Sequence, residues 1–230
     1  MKKLLLIISL LTLSIFAQEP TMGHKMPTRF QAVPMAQAQL VQEGKNRLYC
    51  TKCGMTLPMF YKTNHASKVE GVAKQYCSIH CLADALNHDS NVSELKVVDN
   101  TTLKFVDANT AWYVIGSSKA GTMSKISKYA FAIKSDAQTF YKEFGGEVKD
   151  FNSTINMVKE NLAKESKMIA KKQAMMAKKG EMMFAKICKP IEEKFNSVAQ
   201  AKSYLKTNQP CGDIKGKKLQ AIALYLNARK

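Results

Sequence analysis

Apolar and polar positions follow different periods in the two halves of the chain. Between Arg47 and Asp150 the apolar residues fall in short runs, Leu95 to Val98, Leu103 to Val106, Trp112 to Ile115 and Tyr129 to Ile133, which have the length and β-branched or aromatic content of strands. Val69-Glu70-Gly71-Val72 reads as a hairpin corner that leads into Cys77. Ser78 then caps a helix through about Asn87, with Ile79, Leu82, Ala83 and Leu86 on one face. Ser135 or Asp136 opens a second helix, which Gly145-Gly146 closes. The pattern predicts an α+β domain over residues 47–150, built as two small strand-strand-helix units.

Beyond residue 150 the period lengthens. Ile155 to Lys179 is rich in Ala, Met, Lys and Glu and has neither Gly nor Pro, so it predicts a long helix ended by Gly180. Three further helices follow: Glu181 to Lys189 stopped by Pro190, Val198 to Lys206 capped by Ser197, and Lys217 to Ala228 with Leu219, Ile222, Ala223 and Leu226 as its apolar face. Residues 151–179 are expected to be a helical linker and 180–230 a small all-α module. Residues 18–46, with Pro20, Pro27, Pro34, several Gln and little periodicity, read as an extended flexible leader without a core of its own. Its Met22, His24, Met26 and Met35 are soft-metal donors by type, though tails of this kind are more often inert.

The first 17 residues read as an export signal. Lys2 and Lys3 precede the apolar run Leu4 to Phe16, and Ala17 followed by Gln18-Glu19-Pro20 looks like a cleavage site. The run is too short to span a bilayer. A soluble periplasmic protein is expected, without a lipid anchor because the first cysteine is Cys50. Lys and Arg number 35 against 18 acids, giving a net charge of +17. From residue 151 onward 17 bases face 6 acids, and before it 18 face 12, so the excess sits mainly in the helical tail. Such a surface favours anionic partners. Nucleic acid is excluded as the expected partner, because the tail aromatics sit at core spacing and the chain is exported.

Six cysteines stand at 50, 53, 77, 81, 188 and 211, which in an oxidising compartment first suggests three disulfides. Cys50-Thr51-Lys52-Cys53 brings two sulfurs together across a tight turn, and Cys77-Ser78-Ile79-His80-Cys81 brings another pair to a helix start, where the dipole favours thiolate. Four sulfurs and the His80 imidazole suggest a zinc site, although the second spacing departs from the usual ribbon. Met55 adds a thioether two residues after Cys53, and mixed thiolate and thioether donors select copper(I). Spacing alone leaves copper(I), zinc and disulfides open.

Cys50-x-x-Cys53-Gly54-Met55, Trp112-Tyr113-Val114 leading to Gly121-Thr122-Met123, Ala130-Phe131, Asp136-Ala137 and Gly145-Gly146-Glu147-Val148 together resemble the NosL family of exported copper proteins. The resemblance covers about residues 47–150. It implies copper(I) delivery during maturation of nitrous oxide reductase, a metal cysteine at Cys53, an adjacent methionine at Met55 and a loop methionine at Met123. Cys50, Cys77, Cys81 and His80 join the candidate ligands. Many members of the family are lipoproteins; with no cysteine at the cleavage site, a freely diffusing carrier is implied here.

The tail resembles the first and last helices of a c-type cytochrome at Gly180 to Phe184 and Leu219 to Leu226. The haem attachment sequence is absent and no histidine follows His88, so covalent haem is not expected. Cys188 and Cys211 are expected to form a disulfide that staples the small helical fold. No nucleophile-base pattern or phosphate loop is present, and a thiol–disulfide role for Cys50-x-x-Cys53 lacks a thioredoxin-like entry. The expectation is a non-enzymatic copper(I) metallochaperone. Its partner would be a client copper enzyme or a membrane-bound assembly partner, with possible peripheral contact with an anionic surface. A structural zinc adaptor is the alternative, with a thiol–disulfide oxidoreductase ranked behind it.

Overall fold

A computed structural model describes residues 29–229. The expected signal peptide, and Met22, His24 and Met26, lie outside the described residues. The architecture is α+β. Strands β1 (His65–Val69) and β2 (Val72–Tyr76) precede helix α1 (Ile79–His88), and β3 (Val92–Val98) and β4 (Phe105–Asp107) complete an antiparallel sheet of order β2-β1-β3-β4. Then β5 (Trp112–Ile115), β6 (Lys128–Phe131), α2 (Lys134–Phe144) and β7 (Glu147–Asp150) form a second unit whose sheet has order β6-β5-β7. Strand–strand–helix therefore recurs as β1-β2-α1 and β5-β6-α2. Glu70 (φ 50°) and Gly71 (φ 80°) make the turn between paired Val69 and Val72, as the hairpin reading required.

One strand begins later than its apolar run. The buried Asp99 carboxylate accepts hydrogen bonds from the N–H groups of Thr101, Thr102 and Ala132 and from the Thr102 hydroxyl. This ties residues 99–103 into a turn with Leu103 at φ 59°, so pairing starts at Phe105. The leader also differs from expectation. Val33 is buried with Tyr61 and Val98, and Gln42 donates to the carbonyl of Tyr49 at 2.7 Å while its own carbonyl accepts from the Gln75 N–H at 2.8 Å. Residues 29–46 are thus held by side-chain hydrogen bonds and a small core, which no apolar periodicity announces.

The largest departure is in the tail. Helix α3 runs unbroken from Phe151 to Ile187, capped by the Asp150 side chain on Ser153 N–H, and crosses the positions where a linker and a separate helix were expected. Gly180 does not stop it. A Cβ at Gly180 would lie 2.0 Å from the Ala221 carbonyl oxygen of α5 (Gly216–Ala228), so the glycine is there to let two helices cross closely. The N-terminal half of α3 buries Phe151, Ile155, Val158 and Leu162 in the core of the strand domain, whereas Met176, Met183 and Phe184 pack with α4 (Val198–Asn208) and α5. One helix belongs to both cores. Cys188 and Cys211 are joined by the expected disulfide. No described helix is long and apolar enough to cross a membrane.

Candidate metal centre

The Cys50–Cys53 turn is closed by its own backbone. Cys50 N–H donates to Met55 O (2.8 Å), Gly54 N–H to Cys50 O (2.9 Å) and Leu57 N–H to Leu48 O (2.9 Å). Gly54 takes φ +70°, and a Cβ there would stand 2.4 Å from Val198 Cγ1, so both the turn and the approach of α4 need glycine. Lys52 pins the turn to α1 through Asp84 (3.3 Å) and Asp89 (2.8 Å). The second pair sits at the start of α1: Ser78 is the N-cap residue, with Cys77 before it and Cys81 in the first turn. The Ser78 and Thr51 hydroxyls, each beside a ligand motif, are buried without a partner.

These two segments bring four sulfurs together. Sγ atoms of Cys50, Cys53, Cys77 and Cys81 all lie within 4.8 Å of one another, all four are free thiols, and none is more than 6% exposed. Cys53 and Cys77 are 3.5 Å apart, Cys77 and Cys81 3.8 Å, and the Met55 thioether is 4.0 Å from Cys77 Sγ. A metal with four sulfurs at about 2.3 Å would hold them about 3.8 Å apart, so the cluster has the dimensions of a sulfur cage. Its charge is uneven. Burial pushes the Cys50 thiol up, but hydrogen bonds from the thiols of Cys53, Cys77 and Cys81 and from the Cys77 N–H outweigh it and hold Cys50 well below the ordinary thiol range. Cys77 and Cys81 are displaced upward, chiefly by donating to Cys50. Cys50 therefore gives up its proton readily, whereas Cys77 and Cys81 hold theirs.

Met123 packs half-buried against the same core, with φ 65° in the loop between β5 and β6. Its neighbours are tied on both sides. Thr122 Oγ1 is 2.8 Å from Thr63 Oγ1, which lies 2.8 Å from Cys77 O, and Ser124 Oγ donates to Glu165 Oε1 at 2.8 Å. His80 is placed otherwise than the sequence suggested. It is not in the sulfur group: its ring turns to α3, with Nδ1 3.1 Å from Glu165 Oε2 and Nε2 3.5 Å from Ser166 Oγ.

Lys202, on α4, is a residue that sequence reasoning missed. It is 2% exposed, and its Nζ donates to Gly54 O at 2.6 Å and lies 5.0 Å from the centre of the Tyr49 ring. Burial pulls its pKa down to about 8, opposed by the nearby sulfurs of Cys53, Cys50 and Cys77. A lysine on a helical tail carries no local sign that it will reach a turn 148 residues away.

The family model of NosL matches residues 41–160, just over half of the 230. The chain belongs to the NosL family. Among solved structures, the crystal structure of the copper chaperone NosL from Shewanella denitrificans is 27% identical, over 52% of this chain and 96% of that one, with a TM-score of 0.40. No curated protein matches the chain. The NosL match ends before Glu165, Lys202 and the rest of the tail, so the groups those helices bring to the cysteine cluster lie outside the family region.

Proposed function

We propose that this NosL-family protein binds copper(I) after export and delivers it to a client copper enzyme, by resemblance nitrous oxide reductase, without catalysing a reaction of its own. The observation that carries the reading is the Met55 thioether 4.0 Å from Cys77 Sγ, at the edge of four buried free thiols. Thioether is a poor zinc donor and a good copper(I) donor. Cys53, Met55 and Met123 are the central ligands, with Cys50, Cys77 and Cys81 completing the sulfur set; His80 supports it from behind.

Copper(I) is stable with two or three soft ligands, so an incoming sulfur or imidazole adds before another leaves. The buried Lys202 ammonium and the low Cys50 thiol together favour an anionic cluster that holds a cation tightly. The basic surface serves to dock an acidic client or assembly partner, an interaction that raised salt weakens.

The alternative is a structural zinc site, favoured by the sulfur spacings, which suit a four-cysteine cage. Anaerobic titration of the reduced protein with copper(I) against a competing chelator, with zinc in parallel, separates the two. Copper(I) binding weakened in both Met55→Leu and Met123→Leu supports delivery. Zinc binding indifferent to both substitutions, with no tight copper(I) uptake, supports the zinc adaptor.

A further inference from the structure

The four cysteines are buried, yet Met55 faces two ways. On one side it touches the sulfur cluster; on the other it lines a cavity of 340 Å³ between the strand domain and the helical tail. Three more methionines line that cavity, each from a different element: Met59 from the 3-10 stretch Leu57–Thr63, Met123 from the β5–β6 loop and Met176 from α3. Four of its 15 lining residues are methionine, where 13 methionines in 230 residues would place fewer than one. All four are half-buried rather than packed away. The lining holds no thiol, imidazole or carboxylate, but includes Arg29, Lys172, Lys202 and Lys217.

We propose that this methionine-lined cleft is the passage through which copper(I) enters and leaves the cysteine cluster, with Met59 and Met176 as transient thioether ligands. The inference rests on the copper reading above and deepens it. Thioethers bind copper(I) as labile, uncharged donors, whereas the thiolate-bearing cluster binds it with an opposite charge, so the metal rests where Met55 and Met123 meet the cysteines and only passes Met59 and Met176. Arg29, Lys172 and Lys217 reinforce this, because away from the thiolates they disfavour a resting cation and attract an anionic acceptor to the mouth.

Each step is ligand exchange. A new copper–sulfur bond forms before an old one breaks, copper stays at +1 and no electron moves; thiolates released at the end take protons from water. The tail acquires a role by this route, since α3 and α5 build the outer wall of the passage, Met176 on the first and Gln220 on the second.

The test is anaerobic stopped-flow transfer of copper(I) from the loaded full chain to excess sulfonated bathocuproine, alongside equilibrium competition. Two variants are used: Met59→Leu with Met176→Leu, which keeps volume and removes both thioethers, and Gln220→Trp, which obstructs the cleft and leaves every sulfur in place. Equilibrium affinity within about twofold of the unsubstituted chain, with transfer slowed about tenfold in both variants, is the expected result. Unchanged rates in both variants at intact affinity would overturn the passage. A tenfold fall in equilibrium affinity in the double variant also overturns it, because Met59 and Met176 would then be resident ligands. Failure of the unsubstituted chain to take up copper(I) would instead sink the delivery reading from which the passage follows.

Discussion

The carboxylate of Glu165 spans two loops of the metal centre, with Oε2 3.1 Å from His80 Nδ1 and Oε1 accepting from the Ser124 hydroxyl at 2.8 Å. His80 adjoins Cys81 and Ser124 adjoins Met123, so one side chain from α3 bridges the residue before a cysteine and the residue after the loop methionine. Because the acceptor is a carboxylate, the histidine donates from Nδ1.

Replacing this acceptor with an amide tests the strap. Glu165→Gln keeps the shape but loses the charge-assisted hydrogen bond, and copper(I) affinity is expected to fall about three- to tenfold, roughly the 1 kcal/mol of a weakened bond. In a Met123→Leu background the same substitution should change affinity little, since the methionine it positions is gone. Equal losses in both backgrounds would show that Glu165 acts on overall stability and not on Met123.

Gly180 offers a case where helix propensity and packing predict opposite signs. Alanine in a helix interior is ordinarily worth about 1 kcal/mol over glycine. Here the added Cβ meets the Ala221 carbonyl oxygen at 2.0 Å, so α5 must move away from α3. Gly180→Ala is expected to lower the melting temperature by several degrees, a cost of about 1–3 kcal/mol for overpacking. A rise in melting temperature on calorimetry would mean that the helix crossing yields easily.

The pH dependence of folding should carry a signature of His65. This ring is fully buried against Tyr113, with Nε2 3.1 Å from the phenol oxygen, and burial pulls its pKa from 6.5 down to about 3. The unfolded chain therefore binds a proton that the folded one refuses. The stabilisation is complete above pH 6.5 and is lost progressively as pH falls from 6.5 towards 3. Urea titrations of the reduced protein at pH 7 and pH 4.5 should show a smaller drop for His65→Gln than for the unsubstituted chain; drops of equal size would place the acid sensitivity elsewhere.

Lys202 should report on the charge of the cluster. Its ammonium is the buried cation nearest the cysteine turn, so Lys202→Met is expected to move thiolate formation at Cys50 to higher pH and to weaken copper(I) binding. Ultraviolet thiolate absorbance followed against pH reads the shift directly. An unaltered titration curve would leave Lys202 only a docking role for α4.

Local order set much of this protein from its sequence alone. Short apolar runs of four or five residues placed β3 to β6 and a hairpin corner at Glu70-Gly71, helical spacing and caps placed α1, α2, α4 and α5, and close spacing within each cysteine pair was enough to announce two sulfurs at a point; β7, whose one apolar residue is Val148, has no such run. The physical reason is that a turn or a helix start positions residues two to four apart whatever surrounds it. Tertiary structure decided which distant groups meet: that the two cysteine pairs share one site, that His80 faces Glu165 instead of the sulfurs, that Gly180 is a crossing point and not a stop, and that Lys202 reaches Gly54. Those contacts depend on how α3 lies across both cores, and packing of that kind is set by the summed shape of many side chains, which no short stretch of sequence records.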